Sequence, residues 1–167
     1  MLVAVLIVGV AFFESLSLKN VSYSIRPTLK ISIFTNTTSV KFHNVVIANN
    51  VGAPGGILLS NRYASDGISG YYPLSTRDYS GVIHVDSTLH RDYTLGDFFE
   101  VWGEPLGPLD TLGYHANVTA RVPYTWSMCV ADPFPNNGAP YAVDQWGSHV
   151  LRNNETITLI FATEACA

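Results

Sequence analysis

The sequence predicts an all-β, sandwich-like domain with one short helix and an apolar N-terminal arm. Three observations lead there. Past residue 18 the hydrophobic residues recur with period two in several short runs. Clusters of Gly, Pro and Asn separate those runs. One stretch alone, near 94–102, carries the period and the termini of a helix. With 167 residues, 47% of them hydrophobic and only 13% charged, the chain has enough apolar surface for one core and is too short to expect two. The expected organisation is therefore an apolar segment over 1–18, followed by a single β-rich domain over 19–167.

The N-terminal run MLVAVLIVGVAFF carries no charge before Glu14. It falls short of the roughly 20 apolar residues that span a bilayer. Its length fits the apolar part of a secretory signal, but a basic start and an A-x-A-like cleavage site are both missing. Richness in Val, Leu and Ile also suits an extended strand buried on both faces. Leu2, Val3, Val5, Leu6, Ile7, Val8, Val10, Phe12 and Phe13 then form an assembly arm that inserts into the sheet of a neighbouring copy. A signal peptide, an assembly arm, and a membrane anchor or pilin-like helix all remain open for this segment.

The next segments, 20–25 and 29–34, alternate around a break enforced by Pro27, and 39–48 continues the pattern. In 94–103, Thr94 reads as an N-cap with Asp97 at the third helical position, and Gly103 as a left-handed stop. Leu95, Phe98, Phe99 and Trp102 fall at i, i+3, i+4 and i+7, one apolar stripe to lay against a sheet. Later, Tyr124, Trp126, Met128 and Val130 alternate with Cys129 on the opposite face, and Ile157, Leu159 and Phe161 share one face of 155–162.

Three lysines and six arginines against thirteen acidic residues give a net charge of −4, which excludes the basic patch of a nucleic-acid-binding surface. Hydroxyls and amides replace ions on such a surface, as suits an extracellular protein. Four sequons, at Asn20, Asn36, Asn117 and Asn154, offer sites for N-linked glycans. Cys129 and Cys166 lack metal-ligand spacing, so in an exported chain they read as one disulfide.

Chemistry-bearing residues concentrate in GVIHVDSTLHRDYTLGDFFEVWG, residues 81–103. Alternation puts Val82, His84 and Asp86 on one face of a strand and Ile83 and Val85 on the other. With His90, and His43 from another strand, His84 and Asp86 make a weak candidate for a zinc or copper site. A histidine hydrogen-bonded to a carboxylate on a half-buried strand is the simpler account, and no metal or other cofactor is expected. Catalytic signatures are missing too: the sequence has no nucleophile elbow, phosphate-binding loop or dinucleotide fingerprint. Glu100, Glu104 and Asp110 could pair as glycosidase carboxylates, but solvated acids beside a helix are commoner. The chain is not expected to be an enzyme.

The stretch PLSTRDYSGVIHVDSTLHRDYTLGDFFEVWG, residues 73–103, resembles a motif of secreted archaeal and bacterial domains. In that motif P-x-H-T-H-D-x-S-G-x-I-H precedes T-L-G-x-F-F-x-x-W-G. The chain keeps Gly81, His84, Thr94, Gly96, Phe98, Phe99, Trp102 and Gly103, which are mostly turn, cap and core residues. It departs at Ser75 and Arg77, which stand where the motif has histidines, and a guanidinium is a poor neighbour for a metal ion. In more general terms the chain resembles subunits of archaeal cell-surface filaments, thread-like or pilus-like, in which one subunit's N-terminal strand completes the next subunit's sandwich. That resemblance implies a structural role, copies of itself as partners, and contact with the cell surface or S-layer. The competing expectation is a secreted or anchored β-domain that binds a metal ion or a surface glycan.

Overall fold

A computed structural model describes residues 20–35, 41–117, 119, 124–133, 138–163 and 166. Among the described residues the chain is mostly β-sheet with one short α-helix. A three-stranded antiparallel sheet combines β1 (Tyr23–Ile25), β4 (Leu74–Ser75) and β5 (His84–Ser87) in the order β1-β5-β4. A five-stranded sheet combines β2 (Thr28–Thr35), β3 (Lys41–Val45), β8 (Thr125–Ala131), β9 (Tyr141–Ala142) and β10 (Thr156–Ala162), in the order β3-β2-β10-β8-β9. A small hairpin of β6 (Asp110–Thr111) and β7 (Tyr114–His115) completes the strands. Buried residues of both larger sheets and of the helix α1 (Leu95–Trp102) belong to one core.

Period-two patterning decides what each strand of the large sheet buries. Leu29, Ile31 and Ile33 of β2 lie beside Ile157, Leu159 and Phe161 of β10 in parallel register. Val130, Met128 and Trp126 of β8 face the same three β10 residues from the other side, antiparallel. Apart from the half-buried Phe161, these residues are at most 4% exposed, so one face of β2, β10 and β8 is a continuous apolar floor. Cys129 projects from the opposite face and is bonded to Cys166, with 5.7 Å between their Cα atoms. The bridge between the cysteines is therefore present as expected, and it ties the C-terminal end across β8.

Strand β3 is shorter than the alternation over 39–48 implies. Its pairing with β2 runs from Ile31↔Val45 to Thr35↔Lys41 and stops. The N-terminal end of β2 bonds elsewhere: Leu29 N–H donates to Gly81 O at 2.8 Å, and Thr28 bridges Val82. Val46 has lost its partner strand and is left exposed.

Helix α1 begins as its sequence requires. The Thr94 hydroxyl accepts from Asp97 N–H at 3.1 Å, and the Asp97 carboxylate accepts from Thr94 N–H at 2.9 Å. Gly103 closes it in the left-handed region at φ 82°, and its N–H donates to Phe99 O. The apolar stripe is buried, but so are Val101 and Asp97, and Glu100 is left as the helix's exposed residue. The burial extends beyond one stripe because the 59–63 segment covers these residues: Leu59 N–H donates to Val101 O at 3.0 Å, and the Tyr63 hydroxyl donates to Asp97 Oδ1 at 3.2 Å. Leu95 and Gly96 donate to His149 O and Gly147 O, and a β-carbon on Gly96 would sit 2.5 Å from that Gly147 oxygen. Among the described residues, no helix is long and apolar enough to cross a membrane.

The disulfide closes a segment of 37 residues. By loop-closure entropy, Cys166→Ser is expected to lower the free energy of unfolding by about 4 kcal/mol. Urea melts of the oxidised wild type and the variant measure the difference; coincident midpoints would show that the bridge adds no stability.

Candidate functional site

Strand β5 carries the polar cluster that the sequence singles out. Ile83 and Val85 point into the core with no exposure, and the intervening His84 and Asp86 share the opposite face. Pairing within the small sheet sets Ser75 across from His84 and Ser24 across from Asp86. The motif positions 75, 77, 84 and 86 are thereby gathered in one place.

What gathers there is an arginine network. Arg26, on the turn between β1 and β2, donates through Nη2 to both Asp86 oxygens at 2.8 and 3.1 Å. Its Nη1 donates to Ile25 O at 2.7 Å, which fixes the guanidinium plane. Arg77 donates to Asp86 Oδ2 at 2.7 Å, and Ser24 to Oδ1 at 2.8 Å. Burial by itself would raise the Asp86 carboxyl; the hydrogen bonds from Arg26 and Ser24 and the two positive charges outweigh it and hold the carboxyl below its ordinary range.

His84 does not hydrogen-bond the carboxylate as expected, because Arg26, Arg77 and Ser24 take the Asp86 oxygens. Burial lowers its basicity first, and the charges of Arg77 and Arg26 lower it further, against the smaller pull of Asp86 and Asp78. Its Nδ1 and the Ser75 hydroxyl are both buried without a hydrogen-bond partner. His90 stands away from the carboxylate, edge-on against the Tyr23 ring at 4.5 Å between centroids. His43 lies on β3 in the other sheet. No group of three or more His, Cys, Asp or Glu side chains suited to a metal ion forms among the described residues. The weak metal candidate His84, Asp86 and His90 is thus not assembled, because two guanidiniums already hold the carboxylate.

Glu100, Glu104 and Asp110 do not converge on a shared site either. Glu100 is solvent-exposed, whereas Asp110 faces His115 across the β6–β7 hairpin at 3.5 Å. A second polar pair went unmarked by any sequence signal. Glu155, with no exposure, accepts from Arg152 N–H at 2.7 Å and lies 2.9 Å from His149 Nε2, tying the 146–152 segment to the start of β10. Arg26 also escaped notice, since no local pattern connects it with a carboxylate 60 residues away.

Three sequon asparagines are described, and all three are exposed: Asn20, Asn117 and Asn154. Asn154 precedes β10, and Asn117 bridges Tyr124 just before β8, so the two lie at opposite ends of the large sheet. Asn36 lies outside the described residues, as does the whole candidate arm, Leu2 to Phe13.

The outer edge of the large sheet supplies the other candidate surface. β3 ends the strand order, and no described strand pairs with its outer side. Where Val46 departs from β2, a groove of about 300 Å³ opens over Lys30 and Ser32, walled by Asn44, Val46 and Tyr79. Val46 and Tyr79 at its mouth are 64% and 67% exposed.

No protein-family model, curated protein or solved structure matches this chain. The chemistry of the site therefore rests on its own geometry.

The folded imidazole of His84 has a lower pKa than its ordinary value of 6.5. Between those two values the unfolded chain binds the proton more readily, so stability is complete above 6.5 and falls as pH drops through the folded value. In chemical-denaturation series from pH 7.5 to 5, wild type is expected to lose stability that His84→Gln retains; parallel curves would remove His84 as the cause. Asp86 acts in a separate window: its contribution is complete above 3.8 and is lost as pH falls below that.

Proposed function

We propose that the chain is an extracellular structural subunit that assembles with copies of itself, residues 1–13 of one copy adding as a strand along β3 of the next. The observation that carries this reading is the β3 edge, which no described strand pairs, with Val46, Tyr79 and their groove directly beside it. An exposed strand edge offers unpaired N–H and C=O groups, and a protein that leaves one open beside large apolar side chains is suited to receiving a partner strand.

The occupant follows from composition. Residues 1–13 are uncharged and rich in Val, Leu and Ile, so they suit a ribbon buried on both faces. Fully extended they reach up to about 43 Å, more than twice the roughly 17 Å of a five-residue edge strand. That surplus lets one arm follow β3 and continue into the groove. Its departure point is accessible, because Asn20 and Val21 are exposed and Ser22 N–H already bonds to Ser87 O at the start of β1.

The bridge of Cys129 with Cys166 and the exposed sequons accord with export into an oxidising, glycosylating environment. The network around Asp86 fits a structural protein more readily than a catalyst: its carboxylate is saturated by arginine, and its imidazole lacks a reacting partner. No cofactor enters this reading.

Sedimentation of the chain beginning at Met1 is expected to show polymers, and the chain beginning at Asn20 to show monomers. Val46→Lys, a substitution at an exposed position, is expected to weaken assembly about tenfold by placing a charge on the receiving edge. A monomeric Met1 chain, or equal polymerisation without residues 1–19, would overturn the proposal.

A further inference from the structure

We propose that Arg77 is the anchor of a second site, one that binds the carboxylate of an acidic sugar. The site is a cavity of about 420 Å³ over the small sheet, away from the β3 edge, and it does not depend on how the chain assembles. A cavity of that size lies within the range that holds small ligands.

Asp86 and its partners form the floor. Two guanidiniums converge on one carboxylate, leaving an excess of one positive charge in a protein whose net charge is −4. The two arginines are unequal. Arg26 is spent: Nη1 donates to main-chain oxygens, and Nη2 spans both Asp86 oxygens. Arg77 gives Asp86 only Nη2, no described residue accepts from its Nη1 or Nε, and its side chain is 42% exposed. The Tyr71 ring supports it from one side, with Cζ 5.0 Å from the ring centroid. An arginine held flat by a ring and oriented by a carboxylate still presents one planar edge, the second Nη2 hydrogen beside Nη1 or Nε, at little further entropic loss, which is the geometry that a carboxylate accepts bidentately. The neighbouring Asp78 is bonded through Oδ1 to the hydroxyl and N–H of Ser80.

The walls favour a sugar over a bare anion. Val21 and Ile68 are apolar, and Ser69 contributes a hydroxyl, a mixture that matches the C–H and O–H faces of a pyranose. Ser69 also holds a left-handed conformation at φ 54°, beside Gly70 at φ 79°, in the two-residue turn joined by Ile68 and Tyr71. Asn and Gly take that place in such turns more readily than Ser does. The strain is local and sets a hydroxyl-bearing residue against the cavity. Near this floor Ser75 Oγ and His84 Nδ1 remain without partners.

Calorimetric titration of the full chain at low ionic strength decides the matter, with sodium glucuronate and a short oligogalacturonate as probes and glucose and sodium sulfate as controls. Both uronates are expected to bind in the millimolar range or tighter, glucose not to bind, and sulfate to bind at least tenfold more weakly. Arg77→Gln is expected to lose tenfold or more in uronate affinity, with the Arg26–Asp86 pair and the near-ultraviolet circular dichroism unchanged. Arg77→Lys is expected to recover charge but not affinity, because an ammonium lacks the planar fork. Sulfate binding as tight as glucuronate, unaltered affinity in Arg77→Gln, or absence of uronate binding to wild type would each overturn the assignment.

Discussion

The parallel pairing of β10 with β2 is the constraint on which the architecture rests. It joins Thr156–Phe161 to Thr28–Ile33, two segments separated by almost the whole described chain, and it places the last strand in the middle of the large sheet. Without β10 the sheet would consist of two separate antiparallel pairs, β2–β3 and β8–β9, each with bare edges. Closing so long a loop is unfavourable, though the penalty grows only logarithmically with length. It is offset by Ile157 and Leu159, which are wholly buried and packed on both sides by β2 and β8. The disulfide acts on the same joint: Cys129 pairs with Thr158 across the ladder, so the bridge to Cys166 fastens the chain end where β10 has just been inserted.

That topology also explains how far the sequence could be followed. Alternation states which residues share a face, and the faces of 124–130 and 155–162 are those expected. It says nothing about which strand lies next to which, so the central position of β10 and its parallel partner were not legible. The helix was the clearest element, because its cap, its stop and its stripe are all local: Thr94, Asp97 and Gly103 act within a few residues of one another. Its extra burial was not legible, since the 59–63 segment that covers Asp97 and Val101 comes from more than thirty residues away.

The polar cluster divides in the same manner. Period two correctly put His84 and Asp86 side by side, and the presence of Arg77 two residues beyond Ser75 hinted that a cation was already in place. Arg26 could not be foreseen, because it reaches Asp86 only through the β1–β5 pairing. Its contribution to the fold is nonetheless considerable. Arg26 occupies the turn where the chain passes from the small sheet to the large one, and Asn154 N–H donates to its carbonyl oxygen. A buried carboxylate that fixes this turn sets the small sheet against the start of β2, and removing it would leave two arginines facing each other without a counter-charge.

Strand order decides where the protein has surface to spare. β9 is two residues long, and the neighbouring Asn117–Tyr124 bridge and the Trp126 indole, which donates to Tyr114 O at 2.7 Å, occupy much of the β8 flank. The other flank is five residues of β3, continued by Val46. A strand added there would gain about 1.5–3 kcal/mol for each Val, Leu or Ile it buries, and ordering each backbone residue would remove about 1–2 kcal/mol. The surplus per residue is small, so length and complementarity govern whether such an arm holds. A bare hydrogen-bonding edge would give weak, reversible contact with any extended chain. An edge that continues into an apolar groove rewards a long uncharged ribbon over a short or charged one, and the low charge of residues 1–13 answers that demand.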